Sequence, residues 1–426
     1  MAASETTLIE KFEIISTEGQ AVEISGGISA FFYYEDIFSP CVTAKAVLMD
    51  TGKTIIDGKY TNLFSGLPLR TSETCDVEIV NQLEQRFTLA QGNMFVNKIS
   101  ANKREQNRQI GALHFISGEA FNNEFTRVEQ YLRPVQTHLN VGKIVEEVLG
   151  SEKPFSADNS KTQIGWQGNS RKPFTCIMQL ATRSVAENGS SPGFCFFETS
   201  QGFQFRSVES MCAQEAINAA TPYIYDSTPR SGNGNVTTDV SKILEYTVGQ
   251  NNDVIEKLQM GAYNSISYVF DSLRGTVTKS TPESRRSIAD EQSGSKLGDD
   301  DLTPSEQLKE RPSRIFVGVA ANKNNIATNR EERQTGGTDG DPDETLFSAA
   351  PARYNNLFTQ ILNITVPQNL ALNAGQCIVC DFPDVDKDSL DVKLTGKYLI
   401  KELCHFFGPN NKSFTYLTLV RDSFSS

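Results

Sequence analysis

Histidine and tryptophan are scarce in this chain, with three and one among 426 residues, and no run of five or more lysines and arginines occurs. With a formal net charge of −12, nothing marks a surface built to hold a phosphate backbone. Acidity of this size either keeps a protein soluble or lets a polyanion pass without adhering, and composition alone does not choose between them. No stretch reaches the ~18 continuous apolar residues of a membrane-spanning helix. The opening MAASETTLIEKFEIIS has neither a basic region nor a long apolar core, so it reads as lacking a secretory leader. Eight cysteines are scattered as Cys41, Cys75, Cys176, Cys195, Cys212, Cys377, Cys380 and Cys404, a usage expected of reduced thiols in a cytosolic folding site.

Catalytic signatures are equally sparse. There is no Walker motif, no GxSxG and no GxGxxG. His114 and His405 fall in strand-like stretches and His138 precedes a helix-like one. Cys404 and His405 are neighbours in a strand, so they point to opposite faces and do not form a dyad. Cys377 and Cys380 look like a redox or zinc pair, but three residues apart in a strand they also diverge, roughly 10 Å between Cα atoms. The segment TDGDPDE (338–344) lacks the glycine and terminal glutamate of a calcium loop and reads as solvated. No metal, cofactor or catalytic residue is expected.

What remains is pattern. Hydrophobic residues make up 38% and charged residues 22%, ordinary for a globular protein long enough for two or three domains. Residues 11–116 read as short strands and turns. From 118 the character shifts: NVGKIVEEVLG (140–150) is helical with Gly150 as its stop, PFTCIMQLATRSVAEN (173–188) is a second helix opened by Pro173, and GFCFFETSQGFQFRSV (193–208) is a hairpin turning at 200–202. Strands resume after 239, with a short helix at 253–261 capped by Asp253 and an extended segment at 262–280 that is one strand or two. Residues 281–345 are polar apart from SRIFVGVA (313–320). A helix through Tyr354, Leu357, Phe358 and Ile361 then precedes three strand runs. Similar content in the two β-rich segments suggests an internal duplication.

Several stretches carry a family likeness. GGISAFFYYEDIFSPCVTAKAVLMDTG (26–52) with LFSGLPLRTSETCDVEI (63–79) resembles the first domain of baseplate hub proteins of contractile-tailed phages, the late control protein D-like family. Glu35, Asp36, Ser39, Pro40, Asp50, Gly66 and Glu73 occupy that pattern. CFFETSQGFQFRSVESM (195–211) is similar to the family's middle-domain hairpin. TGKYLIKELCHFF…SFTYLTLVRDSF (395–424) resembles its closing hairpin, opened by Gly396, Lys397 and Tyr398 and ended by Arg421 and Asp422. The likeness covers most of the chain outside about 225–350.

The resemblance implies a mainly β fold. It has two related β-barrel tube domains in one chain, with an α+β domain between them and a long polar insertion. The corresponding division is 1–117 for the first barrel, 118–237 for the middle domain, 238–280 with 350–426 for the second barrel, and 281–349 for the insertion. It also implies a structural, non-enzymatic virion protein: a homotrimer joining the sixfold tail tube or tube initiator to the threefold central spike. Baseplate wedge proteins would lie outside it, with tape-measure protein and DNA passing through its bore. Two alternatives stand beside it: another tail structural protein (a tube initiator or a receptor-binding component), or a hub carrying a cell-wall hydrolase within 135–235. In the closing hairpin, Phe414, Tyr416 and Val420 line one side of the second strand while Leu417 and Leu419 line the other. A strand apolar on both faces fits a barrel that also packs outward, which makes Phe414, Tyr416, Leu417 and Leu419 the expected packing or subunit-interface residues.

Overall fold

A computed structural model describes residues 7–423 apart from 53, 57–58, 62–68, 70, 82–83, 106–107, 188–191, 226–240, 252, 261–264, 272–274, 281–296, 299–310, 321–349, 352, 385–388 and 409–411. The chain is mainly β. Its first part holds β1 (Leu8–Ile15), β2 (Ala21–Glu23), β3 (Ile28–Asp36), β4 (Thr43–Asp50), β5 (Thr54–Ile56), β6 (Lys59–Thr61), β7 (Thr74–Val80), β8 (Arg86–Leu89), β9 (Met94–Glu105) and β10 (Arg108–Ser117). Strict apolar alternation drives these strands. In β7 every second residue, Cys75, Val77 and Ile79, is buried. The antiparallel order β2-β1-β7-β9-β10-β4-β3 wraps a core that includes Phe12, Phe31, Leu113 and Phe115.

The middle part comprises α1 (Gly118–Phe125), β11 (Tyr131–Gln136), α2 (Thr137–Lys143), β12 (Phe155–Ala157), β13 (Gln163–Gln167), α3 (Pro173–Ala181), β14 (Phe194–Thr199), β15 (Gly202–Ser207) and α4 (Val208–Ala213). The predicted hairpin is present, with β14 antiparallel to β15. Every residue of β14 is buried: Phe194 and Phe196 pack in one cluster with Phe174 and Ile177 of α3, and Cys195 and Phe197, on the other face, pack in a second with Ile37 and Met211. The 140–150 helix begins three residues earlier than the pattern suggests and widens into a π-turn at Ile144–Val148, where the Leu149 N–H donates to Ile144 O. Gly150 then closes it at φ +67°, a conformation a Cβ would strain. The second helix stops at Ala181 rather than 188. The N–H groups of Arg183 and Ser184 fold back three residues, the Ser184 hydroxyl donates to Leu180 O, and Val185 is drawn into a bridge with Pro192.

The last part holds β16 (Tyr223–Tyr225), β17 (Lys242–Ile243), β18 (Glu245–Asn251), α5 (Val254–Met260), β19 (Ser265–Asp271), β20 (Thr276–Ser280), β21 (Arg314–Ala320), β22 (Gln360–Pro367), β23 (Cys377–Asp381), β24 (Gly396–Phe407) and β25 (Ser413–Arg421). Asp253 caps α5, its carboxylate accepting the Ile255 N–H at 2.9 Å. The 262–280 segment is two antiparallel strands turning at Gly275, and β21 pairs β19 in parallel, so the polar insertion contributes a strand to a separate three-stranded sheet. The rest of that insertion, apart from 297–298 and 311–313, lies outside the described residues. The helix expected through Ile361 covers only 353–356 of its later half. Asn355 and Asn356 are poor helix formers, three i→i−3 bonds follow them, and Ile361 belongs to β22.

Strands β18, β22, β25, β24, β23, β16 and β17 surround a second core that contains Ile364, Tyr398, Leu417 and Leu419. The two β-rich parts are joined by hydrogen bonding, not just by packing. β24 pairs β3 antiparallel from Glu402↔Asp36 to Phe407↔Phe31, fusing both into one sheet. Among the described residues no closed barrel forms. The first part's strand order ends open at β2, because β3 gives its second edge to β24 instead of returning to β1. A further apolar cluster, including Ile37, Phe197, Met211, Leu399 and Val420, lies where the middle part meets both β-rich parts.

Candidate functional site, an aromatic groove beside a charged junction

The shared sheet leaves one face to solvent. Alternation places Phe32 and Tyr34 of β3, Phe406 of β24, and Phe414 and Tyr416 of β25 on that face. Register lines them up across three strands, Phe414 opposite Phe406 and Phe406 opposite Phe32. Phe32 packs on Tyr34 with centroids 6.2 Å apart and on Phe406 at 4.9 Å, and Phe406 reaches Phe414 at 6.3 Å and Tyr416 at 6.0 Å. Tyr34 and Tyr416 remain 39% and 40% exposed, a large aromatic area for solvent to cover. Next to this row, over β24, β25 and β22, the face sinks into a groove of 930 Å³ whose acidic lining includes Asp36, Glu245 and Glu402.

Behind the groove lies a buried charged junction. Glu35 Oε1 accepts the Ser200 N–H at 2.7 Å and the Tyr33 hydroxyl at 3.2 Å, and Oε2 accepts the Ala374 N–H at 2.9 Å. One carboxylate therefore ties β3 to the turn of the middle hairpin and to the loop before β23. Burial, opposed by those three bonds, pushes its pKa up to about 7. Deeper in, Lys153 Nζ donates to Glu119 at 2.6 Å, to Glu198 at 2.6 Å and to the Ser117 hydroxyl at 2.8 Å, while Glu198 also accepts the Val42 N–H. Burial raises the Glu198 carboxyl; Glu119, less enclosed, is held below its ordinary value by Lys153 despite its own desolvation.

The residues singled out by family likeness prove to be internal fasteners. Asp36 accepts the Phe38 N–H and faces Lys401, and the Ser39 hydroxyl donates to Cys41 O just past Pro40. Asp50 accepts the Gly52 N–H at the end of β4, and buried Glu73 accepts the Ser72 N–H. Gly66 lies outside the described residues. Gly396 opens β24 at φ +137°, and Lys397 Nζ donates to Cys212 O, stitching β24 to α4. Arg421 is fully buried. It stacks on the Tyr398 ring at 4.5 Å and donates to Gln360 Oε1, Thr395 O and Lys393 O. Asp422 takes Arg353 Nη1 at 2.7 Å and the Leu297 N–H at 3.0 Å. Although burial opposes it, Arg353 holds this carboxyl below the usual range.

Of the four expected interface residues, Leu417 and Leu419 are 1% and 0% exposed and belong to the chain's own core. Only Phe414 and Tyr416 face outward. Their partners Phe32, Tyr34 and Phe406 escaped notice in the sequence, although the doubled aromatics FFYY and HFF carry the signal: one of each pair must leave the core. The Lys153 cluster was also missed. Its signal is Glu198 inside FCFFET, a lone carboxylate in an apolar strand, which demands a buried cation.

The other polar groups are packed. His405 is buried, hydrogen-bonded to Gln368 and Thr415, and desolvation lowers its pKa to about 3. His114 bonds the Ser100 hydroxyl on an open sheet face, its pKa lowered by burial and by Lys45 and Lys98. The Cys377 thiol donates to Met211 O in one apolar cluster and Cys380 sits in another, on the opposite side of β23. Among the described residues no cluster of three or more His, Cys, Asp or Glu is placed to hold a metal ion.

No family model and no curated protein sequence matches the chain. Solved structures do. The 43 kDa tail protein of prophage MuSo2 from Shewanella oneidensis superposes with a TM-score of 0.54 at 10% identity, covering 97% of this chain and 99% of that one. The tail protein from Neisseria meningitidis MC58 gives 0.50 at 9% identity, covering 98% and 96%. The fold is that of these two tail proteins over nearly the full length of each.

Proposed function

We propose that the chain is the structural hub of a contractile phage-tail baseplate: three copies close a ring between the tail tube and the central spike. The observation that carries this reading is the likeness of fold to two tail proteins over nearly the full length of each. Two apolar cores set on one shared sheet support a pair of related, barrel-like tube units in each chain, so that three chains present six such units to a sixfold tube. The division into a first unit at 1–117, a middle unit at 118–237 and a second unit built from 238–280 and 350–426 belongs to the same proposal.

In this reading the hub is not an enzyme. Glu35 and the Lys153–Glu198 cluster tie the units to one another, while Arg421 and Asp422 brace the second unit from within. The spike would bind one side, tube or tube-initiator proteins the other, and wedge proteins the outside. Tape-measure protein and DNA would pass through the bore, where a net charge of −12 disfavours adhesion. Sedimentation of the full-length chain, alone and with its tail's spike protein, tests the reading. A trimer in either sample is expected; monomer or hexamer in both overturns it.

A further inference from the structure

The small sheet β20-β19-β21 is turned inside out. Pairing puts Ile315 beside Ile266, Val317 beside Tyr268, Tyr268 beside Lys279 and Phe270 beside Val277, so register places these residues on one side. That side faces solvent: Val277, Ile315 and Val317 are 61%, 62% and 73% exposed, and Phe270 is 41% exposed. The opposite side carries Ser265 and Ser267, and both are fully buried. A sheet packed only for its own chain would bury the aliphatic residues and expose the serines. The reverse arrangement marks a side that another surface covers. The one charged residue on the aliphatic side of these strands is Lys279, its Nζ 5.8 Å over the Tyr268 ring.

The aromatic face of the large sheet is the second uncovered surface, and register makes it continuous as well. Tyr34 pairs Cys404, Cys404 pairs Tyr416, Tyr416 pairs Thr365 and Thr365 pairs Glu245, one line running from β3 to β18. The groove over β24, β25 and β22 therefore has aromatic rings along one margin and Glu245 at the other. Lys401 bonds Glu402, whereas Glu245 is bonded to none of the described cations.

The two surfaces match. A three-stranded sheet is about 14 Å wide, counted with its edge side chains, the span of the groove's three floor strands, and two sheets stacked about 10 Å apart make an ordinary sandwich. One side is aliphatic with a single cation, the other aromatic with an unpaired carboxylate. Their exposure shows that they do not cover each other within one chain. They stand on different elements, so pairing between copies runs head to tail and closes into a ring with neither surface left over.

We infer that the aliphatic side of β20-β19-β21 packs over β24, β25 and β22 of a neighbouring copy of this chain as the second layer of a β-sandwich, with β21 toward Tyr34 and Lys279 directed to Glu245. This rests on the ring reading above and supplies its subunit contact.

Two measurements test it on the full chain. In the first, chains with Val317 replaced by p-benzoylphenylalanine are mixed with ¹⁵N-labelled wild type and irradiated under the conditions that give the trimer. Links should run to labelled peptides of β3, β24 or β25. Links between copies that all lie elsewhere, or none at all, overturn the contact while leaving the ring intact. A chain that never trimerises fails the ring reading, and this contact with it. The second measurement is assembly of variants judged folded by circular dichroism. Ile315→Asp with Val317→Asp should weaken trimerisation at least about 30-fold. Lys279→Glu should weaken it about tenfold, and adding Glu245→Lys should restore it to within about threefold. A folded double-aspartate chain that trimerises as wild type overturns the proposal. If the aspartates unfold the chain, the charge exchange decides: an undiminished Lys279→Glu trimer, or a folded exchanged variant as weak as Lys279→Glu alone, overturns it.

Discussion

The two β-rich parts bury different kinds of core. The first is sealed by aromatic packing: Phe12 meets Phe31 edge-on at 5.3 Å and Phe115 at 6.3 Å, and buried charge stands at its margins. The last surrounds a guanidinium. Arg421 lies among Tyr398, Gln360 and the carbonyls of Lys393 and Thr395, so a loop without strand pairing of its own is held by directional bonds. Apolar packing tolerates small shifts of one strand against another; a buried, fully bonded arginine does not. The difference assigns the first part bulk stability and the last part a fixed geometry, at the end of the chain where the groove is formed.

The largest effect should come from cutting the contact that both parts share. Phe31 stacks on Phe407 of β24 at 5.9 Å, so Phe31→Ala should cost about 3–5 kcal/mol and lower the urea midpoint of a single, common transition. Separate transitions for the two parts would break the picture of one fused sheet. Arg421→Met should cost about 3 kcal/mol by removing the guanidinium bonds to Gln360 and to the Lys393 and Thr395 carbonyls, and should quicken amide exchange at 393–395 more than in β1 or β7. Uniform exchange would erase the distinction between the two cores.

A smaller effect concerns the junction. The Glu35 carboxyl is raised in the folded state, so its contribution is fully present below its unfolded pKa near 4.5 and is lost as pH rises through about 7. The loss should be on the order of 2–3 kcal/mol, and Glu35→Gln should flatten the slope of stability across pH 5–8. An unchanged slope in that variant would move the titration elsewhere. Smallest of all, Cys380→Ala should change stability by about 1–2 kcal/mol through packing alone, with the same value in oxidising and reducing buffer. A dependence on redox state would reinstate the Cys377–Cys380 pair as chemistry.

Strands were legible in the sequence because alternation is local: β1, β3, β4, β7, β10 and the β24–β25 hairpin all fall where apolar residues repeat every second position. The β24–β3 pairing was not legible. Its partners lie about 370 positions apart, and no local pattern encodes which edge a strand offers to which neighbour. That one pairing is also why expected closed barrels appear as an open, fused sheet. Helix ends fall short of the periodic pattern where serine and asparagine side chains or i→i−3 turns compete with the helix, after Ala181 and after residue 356. The site was half visible. Phe414 and Tyr416 were found because their strand is apolar on both faces. Leu417 and Leu419, on the inner face of that strand, were grouped with them because sequence alone does not say which face is inside.

The central claim is a trimeric ring. Its most direct test is a cryo-electron microscopy reconstruction of the assembled tail end, computed without imposed symmetry, with copies of this chain counted in the layer between tube and spike. The account predicts three copies in one ring. Six copies in that layer, or a chain located away from the tube–spike axis, would contradict it.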